Sequence, residues 1–597
     1  MQLVSLSALT LFVGLGFALP ESHLQARGQS TSASSQSFQA KCEAFSSKIN
    51  GQKRNAFQND ITLHSVTYIP SGGNISMATI PSVCANNAIS TASPVEFCRV
   101  SLNVTTSSTS QIYMEAWLPG NYTGRFLSTG NGGLGGCIQY SDMLYATQFG
   151  FATVGTNNGH FGDTGKYFLG NTEILEDFAY RALHTGVVIG KELAKLFYTQ
   201  ISSGYNKSYY LGCSTGGRQG WKSLEKFPDD FDGVVAGSPA FNFINLSNWG
   251  ARFLGITGDN TSDTFVTATQ WGNLIHDEII RQCDALDGAV DGIIEDPDLC
   301  HPVFETLICN SSSTASSSCL TGVQANTVNQ VFTPLIGEDG KWLYPRMQPG
   351  SEVLAAYIYY SGQPFQYSTD WFRYVVYNNS AWDPTTWTLA DASAADRQDP
   401  FDISTWDSSL VSGFQKKGGK VLHYHGMEDA IITSDSSKAW YKYLADSTNT
   451  SPSELDEFYR FFAISGMGHC SPGSGASYIG QGVGTYVPGS EQHPEDNVLM
   501  AMVQWVEEGI APEFVRGAKV ASNGSVEYTR KHCKFPKRNV YVGPGNYTDE
   551  NAWECIIDQL LQMRVYAMLL GIWATLSWIA SNKVRGVETT HIHGWDK

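Results

Sequence analysis

The chain has 597 residues, 42% hydrophobic, 12% aromatic and 16% charged, too apolar for a disordered protein and long enough for more than one domain. Its 38 basic residues face 56 acidic ones, a formal charge of −18, which sets nucleic acid aside as a partner. Glycine (59) and proline (22) make it loop-rich, yet no collagen-like period or solenoid-length repeat recurs.

The N-terminus carries an uncharged apolar run ending in Gly16-Phe17-Ala18, a small-x-small cleavage pattern. Residues 1–18 therefore read as a signal peptide, although no lysine or arginine precedes the run, which is also short for a membrane anchor. The 12 cysteines form an even set with no C-x-x-C, as expected for disulfides in an oxidising compartment rather than for a zinc ribbon. Sequons stand at Asn74, Asn103, Asn121, Asn206, Asn245, Asn260, Asn310, Asn378, Asn449, Asn523 and Asn546. Together these features predict a secreted, extracellular glycoprotein.

Residues 19–41, rich in Ser, Thr and Gln, read as a flexible segment. A first core segment, 42–241, follows. Strand-like alternation runs from Ile112 to Leu118, a glycine-rich loop from Gly130 to Gly136, and a short buried strand from Phe151 to Val154. Asp177 to Phe197 has helical apolar spacing. The strand Ser208–Leu211 enters Gly212-Cys213-Ser214-Thr215-Gly216, followed by a helix from Arg218 to Phe227 and the strand Gly233–Ala236. This alternation predicts a mostly parallel sheet covered on both faces. The rhythm lapses over 242–399, a stretch with closely spaced cysteines and aromatics such as Trp371, Tyr374, Trp382 and Trp387, which reads as an inserted domain. It resumes over 400–556 with strands at 420–426 and 458–464 and a helix near 497–508. Residues 557–597 form an atypical tail whose uncharged run, Val565 to Asn582, barely reaches bilayer length and reads as an extra helix or non-native extension rather than an anchor.

Gly212-Cys213-Ser214-Thr215-Gly216 matches G-x-S-x-G between a strand and a helix, the setting in which a sharp turn lifts a nucleophilic hydroxyl above a sheet. Downstream, Asp429 lies in a loop after the strand at 420–426, and His469 follows the strand at 458–464. The order Ser, Asp, His is that of an α/β-hydrolase. His469 would act as base, with Asp429 fixing its tautomer. Glu428 and Asp435 are rival acids, and His423 and His425 rival bases. Thr215 N–H and a donor from the glycine loop, Gly133, would stabilise the oxyanion. Cys213 precedes the serine and Cys470 follows the histidine, so a bridge between them could tie the two loops together.

The acidic loop Cys283 to Asp296 has carboxylates dense enough for calcium. Read as an EF-hand from Asp287 it fails, because Ala289 replaces a ligand and Asp298 stands where glutamate belongs. A structural site using Asp284, Asp287 and Asp291 with backbone carbonyls fits better; a solvated acidic turn is the alternative.

The strings GCSTGGRQG, CDALDGAVDGIIEDP and DEFYRFFAISGMGHC, with Cys-Ser at 213–214, Asp429 and His-Cys at 469–470, resemble the tannase and feruloyl esterase family, and within it the fungal feruloyl esterases, from about Cys42 to Cys555. The resemblance implies an α/β-hydrolase core, a lid made by the insertion, and hydrolysis of hydroxycinnamate esters on plant cell-wall polysaccharide. It also implies calcium on Asp284, Asp287, Asp291 and the carbonyls of Ala289 and Ile293. Bridges would join Cys213 to Cys470, Cys42 to Cys98, Cys84 to Cys137, Cys283 to Cys300, Cys309 to Cys319 and Cys533 to Cys555. The family pattern ends soon after the last cysteine, so the tail beyond Ile556 departs from it and no membrane association is expected. The rival within this class is a tannase acting on galloyl esters. The rival outside it is a non-catalytic calcium-dependent carbohydrate-binding protein.

Overall fold

Nine strands form one mixed sheet in the order β1-β2-β3-β5-β4-β6-β7-β8-β9. They are β1 (Ile61–Ile69), β2 (Phe97–Thr105), β3 (Gln111–Pro119), β4 (Arg125–Thr129), β5 (Phe151–Thr156), β6 (Lys207–Cys213), β7 (Gly233–Gly237), β8 (Lys420–Gly426) and β9 (Tyr459–Ile464). From β5 through β4 to β9 every neighbouring pair is parallel. The first three strands add an antiparallel edge that joins the rest through β3 and β5. The computed structural model describes residues 37–557 apart from 53–56, 79, 311–315 and 544. The proposed signal peptide, residues 19–36 of segment 19–41 and the tail from 558 onward lie outside the described residues.

Period-two alternation builds a core on each face of the sheet. Tyr210, Val234, Val421 and Phe461 face one layer with Trp221 and Trp440. Tyr209, Val235, Leu422 and Phe462 face the other with Val498, Leu499 and Met502. Each fully buried aliphatic or aromatic side chain contributes about 1.5–3 kcal/mol. The helices covering the sheet include α1 (Phe38–Gln52), α2 (Tyr140–Gln148), α3 (Ala182–Phe197), α4 (Thr215–Lys226), α6 (Asp435–Thr448) and α7 (Val498–Glu508), while α5 (Phe243–Thr257) belongs to the insertion. α7 has readable limits: Asn497 accepts from the Leu499 and Met500 amides, and Gly509 ends it at φ 75°.

Three sequence boundaries need correction. α1 begins at Phe38, inside the segment assigned as flexible, because Cys42, Phe45 and Ile49 bury one of its faces. The α/β rhythm of the second core part stops at Glu508, and two antiparallel hairpins follow, Phe514–Val520 with Val526–Cys533 and Lys537–Tyr541 with Trp553–Ile557. Ile557, assigned to the tail, therefore ends the last strand.

The insertion between β7 and β8 has a cluster of its own around Trp249, Phe253, Trp271 and Tyr360, and its Phe243, Trp371 and Phe372 pack with Phe168 and Phe178 of the first core part in a second cluster. Past residue 399 the chain returns to the core: Arg218 and Lys222 of α4, both buried, donate to the carbonyls of Ile403 and Ser404. All six bridges form with the pairing given above. No helix among the described residues is long and apolar enough to cross a membrane.

Candidate active site

β6 meets α4 at Ser214, whose φ of 66° and ψ of −125° lie where a side chain is strained, at a cost of about 1–3 kcal/mol. The turn is held by Ser214 N–H donating to Gly237 O and by Ser214 O accepting from the Arg218 and Ala240 amides. It is also tight. A Cβ on Gly217 would lie 2.4 Å from Gly237 O, and one on Gly130 would lie 2.6 Å from the Cα of Gly216. Only glycine lets these backbones approach.

β8 and β9 supply the partners. Asp429, fully buried after β8, accepts from His469 Nδ1 at 2.7 Å. Its other oxygen accepts from the amides of Ile431 and Ile432 at 2.9 and 2.8 Å. Burial alone would push this carboxyl up, but His469 and His425 outweigh it through charge and hydrogen bonds and hold it well below the ordinary range. With Nδ1 committed to Asp429, His469 keeps Nε2 for proton transfer. The bridge Cys213–Cys470, with Cα atoms 6.0 Å apart, ties the residue before Ser214 to the residue after His469. Ser214 and His469 line one cavity without a direct hydrogen bond between them, and such contacts commonly tighten only around substrate.

The rival residues are engaged elsewhere. Glu428 accepts from Ser474. Asp435 faces Asp298, Lys438 and Arg346. His423 is buried on a strand paired on both sides, and burial holds it uncharged. His425 also contacts Asp429, from below.

The cavity holds about 530 Å³. Its floor is Ser214, Thr215 and the loop from Gly130 to Gly135, and its apolar wall includes Phe243, Tyr359, Phe365 and Tyr367 of the insertion. Trp371 packs instead against Phe168 of the first core part and Phe243. In the glycine loop the amides of Gly130, Asn131, Gly135 and Gly136 are all bonded within the fold, and that of Leu134 faces Asp163. The Gly132 and Gly133 amides have no such partner among the described residues. Gly133 also fixes the loop, since its carbonyl accepts from Thr215 Oγ1 at 2.7 Å. The N–H of Thr215 lies in the first turn of α4, where helix amides have no intrahelical acceptor. Two donors can thus meet an oxyanion beside Ser214.

Sequence reasoning missed two groups here and had a third, His425, only as a rival base. Tyr367 donates to Asp163 at the cavity wall. Asp142, on α2, lines the cavity, and burial pushes its carboxyl up to about 7. His425 joins the triad from below; its signal was two histidines two positions apart on one face of an apolar strand.

The acidic loop lies away from the cavity. Asp284 accepts from the Asp291 and Gly292 amides, and Asp287 Oδ1 from Ala289 N–H. Asp287 Oδ2 is buried with no partner, and burial, with Glu295 and Asp291 nearby, pushes this carboxyl up to about 7. Arg530 pairs with Asp291 and Glu295 at 3.4 and 3.1 Å and stacks on Trp553, joining the loop to the C-terminal hairpins. Among the described residues no three His, Cys, Asp or Glu side chains converge as metal ligands. A cation here would therefore draw on the backbone carbonyls too, and the orphaned Asp287 oxygen fits one.

Of the sequons, Asn245 is corrected. It is buried in α5, where its amide donates to Asp396, leaving no room for a glycan. Asn103 is half-buried in β2, and the other nine asparagines are exposed.

A family model described as tannase and feruloyl esterase matches residues 98–556. A probable feruloyl esterase B-1 of Neosartorya fischeri is 69% identical over 523 residues, covering 88% of this chain and 97% of its own length. The crystal structure of feruloyl esterase B from Aspergillus oryzae aligns with a TM-score of 0.83 at 66% identity, covering 87% of this chain and all of that one. Tannin acyl hydrolase from Aspergillus niger shares the fold at 22% identity and a TM-score of 0.69, covering 88% of this chain and 97% of that one.

Proposed function

Since the chain belongs to the tannase and feruloyl esterase family and is therefore a carboxylic ester hydrolase, we propose that it cleaves feruloyl and related hydroxycinnamoyl esters on plant cell-wall polysaccharide through an acyl-enzyme. The observation that carries this reading is the 2.7 Å bond from His469 Nδ1 to the buried Asp429, tied by a disulfide to the Ser214 turn.

Ser214 Oγ attacks the ester carbonyl while its proton passes to His469 Nε2. The carbonyl oxygen becomes an oxyanion facing the amides of Thr215 and Gly133. Collapse expels the sugar alcohol, which takes the proton from His469. Water then attacks the acyl-serine with His469 as base, and the free hydroxycinnamic acid leaves. Phe243, Tyr359, Phe365 and Tyr367 offer an apolar slot for the phenyl ring.

The same reading includes secretion to the cell exterior, supported by six disulfides and by exposed sequons such as Asn121 and Asn523. It also includes structural calcium, held by Asp284, Asp287, Asp291 and the carbonyls of Ala289 and Ile293; the unpartnered Asp287 oxygen supports it. When bound, the ion neutralises the loop's carboxylates.

The test is Ser214→Ala assayed on methyl ferulate, with methyl gallate compared on the wild type. Turnover should fall about a million-fold in the variant while ferulate still binds, and the wild type should prefer the ferulate ester. Unchanged turnover would refute the serine mechanism, and a preference for gallate would make the enzyme a tannase.

A further inference from the structure

Beneath the catalytic rim, five fully buried side chains form one unbroken hydrogen-bond chain. Asp429 Oδ2 lies 3.1 Å from His425 Nε2, and His425 Nδ1 lies 2.6 Å from Ser437 Oγ. Ser437 Oγ lies 2.8 Å from His423 Nε2, and His423 Nδ1 lies 2.8 Å from Tyr459 Oη. The fold places them together. His423 and His425 share a face of β8, Ser437 sits in the first turn of α6, and Tyr459 opens β9 opposite Val421.

The chemistry at both ends gives this chain a single direction. At the far end, the Tyr459 hydroxyl is buried and has His423 Nδ1 as its only polar partner among the described residues, so it donates there. His423 then carries its hydrogen on Nε2 and donates to Ser437, and Ser437 donates to His425 Nδ1. At the near end, His425 Nε2 faces two acceptors, Asp429 Oδ2 and the Ile432 carbonyl at 2.9 Å, so it must carry a hydrogen. Read from either end, every hydrogen points towards Asp429.

We propose that His425 is a positioning residue, a second histidine whose relayed hydrogen bond holds the Asp429 carboxylate ionised and oriented for His469. With His425 in place, Asp429 accepts four donors: two histidines and two backbone amides. The carboxylate can neither rotate nor turn an oxygen away from His469 without leaving a buried donor unpaired. This role rests on the esterase reading, and the test separates the two.

His425→Phe, His425→Gln and Ser437→Ala would be assayed on methyl ferulate and on p-nitrophenyl butyrate, with Ser214→Ala alongside. Glutamine can return an N–H to Asp429, and phenylalanine cannot. His425→Phe should lower kcat about 10- to 100-fold on both esters with KM unchanged, and His425→Gln should recover most of the loss. Ser437→Ala, which removes one buried oxygen, should lower kcat about 2- to 10-fold, again without moving KM. Wild-type kcat in His425→Phe, or equal impairment in the Phe and Gln variants, would overturn the proposal. Should His425→Phe fail to fold, unchanged kcat in Ser437→Ala would overturn it instead. Full activity of Ser214→Ala would strike at the esterase reading itself.

Discussion

Asp429 and Asp287 are the same residue type at nearly the same depth, 0% and 4% exposed, yet their surroundings drive them in opposite directions. Four donors converge on Asp429, and two of them, His469 and His425, keep it charged far below the ordinary carboxylate range. Asp287 receives one backbone N–H, keeps an orphaned oxygen and is pushed up to about 7 among other acids. Burial raises the cost of a charge in both places, and the donors around it decide what the charge does. A carboxylate supplied with every donor within the fold is ready to work on a neighbour. One left short carries the cost of its burial unrelieved.

Removing the charge at Asp429 should give the largest effect. Asp429→Asn keeps the shape but turns an acceptor oxygen into an N–H beside His469, which no longer holds the tautomer that frees Nε2. A fall in kcat of about 10,000-fold is expected, read by burst and steady-state kinetics. Stability should report the same group. Because folding depresses its pKa, the stability Asp429 contributes is fully present above about pH 4 and is lost as pH falls towards its lowered value. Asp429→Asn should therefore flatten the acid limb of the unfolding curve.

The contrast also shows what the chain reveals before it folds. The G-x-S-x-G turn, the acid after β8 and the histidine after β9 were legible because each is local: a short motif at the end of a buried strand. The parallel half of the sheet was legible for the same reason, since its strands alternate with helices of clear period. Of the antiparallel edge only β3 was legible, from its alternation between Ile112 and Leu118. In β1, Ile61–Ile69, polar residues crowd between the apolar ones, and its pairing with β2 is set across a long intervening loop. His425 could be read only as a rival base, set aside for His469, because its contacts with Ser437 and Asp429 come from tertiary packing. Asn245 looked like any other sequon because its burial comes from Asp396, far along the chain.

The disulfide beside the triad offers an intermediate test. Cys213→Ser with Cys470→Ser leaves all four Asp429 donors in place but releases the covalent tie between the serine turn and the histidine loop. The backbone beside each sulfur is strained: Ser214, next to Cys213, sits at φ 66°, and Cys470 at φ 57°. Without it the loops should relax, and kcat should drop about 10- to 100-fold with little change in KM, since small displacements of reacting groups are costly. Wild-type kcat in the double variant would show that the donors to Asp429 and the packing of β8 against β9 set the geometry unaided.

The smallest effect should come from Asp287→Asn, and its sign should reverse with conditions. In chelator the folded wild type must charge a buried, under-supplied acid as pH rises. Folding raises this pKa from 3.8 to about 7, so between those values the native state holds more protons and loses stability with increasing pH. Asparagine carries no such burden, so at about pH 8 in chelator the variant should melt a few degrees above the wild type. With calcium the order should invert. The wild type gains about 2.7 kcal/mol at a calcium concentration a hundred times its Kd, and the variant, short of one carboxylate, gains less. Turnover should not follow either change, because the loop stands away from the cavity and joins the molecule through Arg530 and the C-terminal hairpins. Melting curves that respond equally to calcium in both proteins would make Asp287 a buried acid with no ligand of its own, and the acidic loop a structural turn braced by Arg530 and the Cys283–Cys300 bridge.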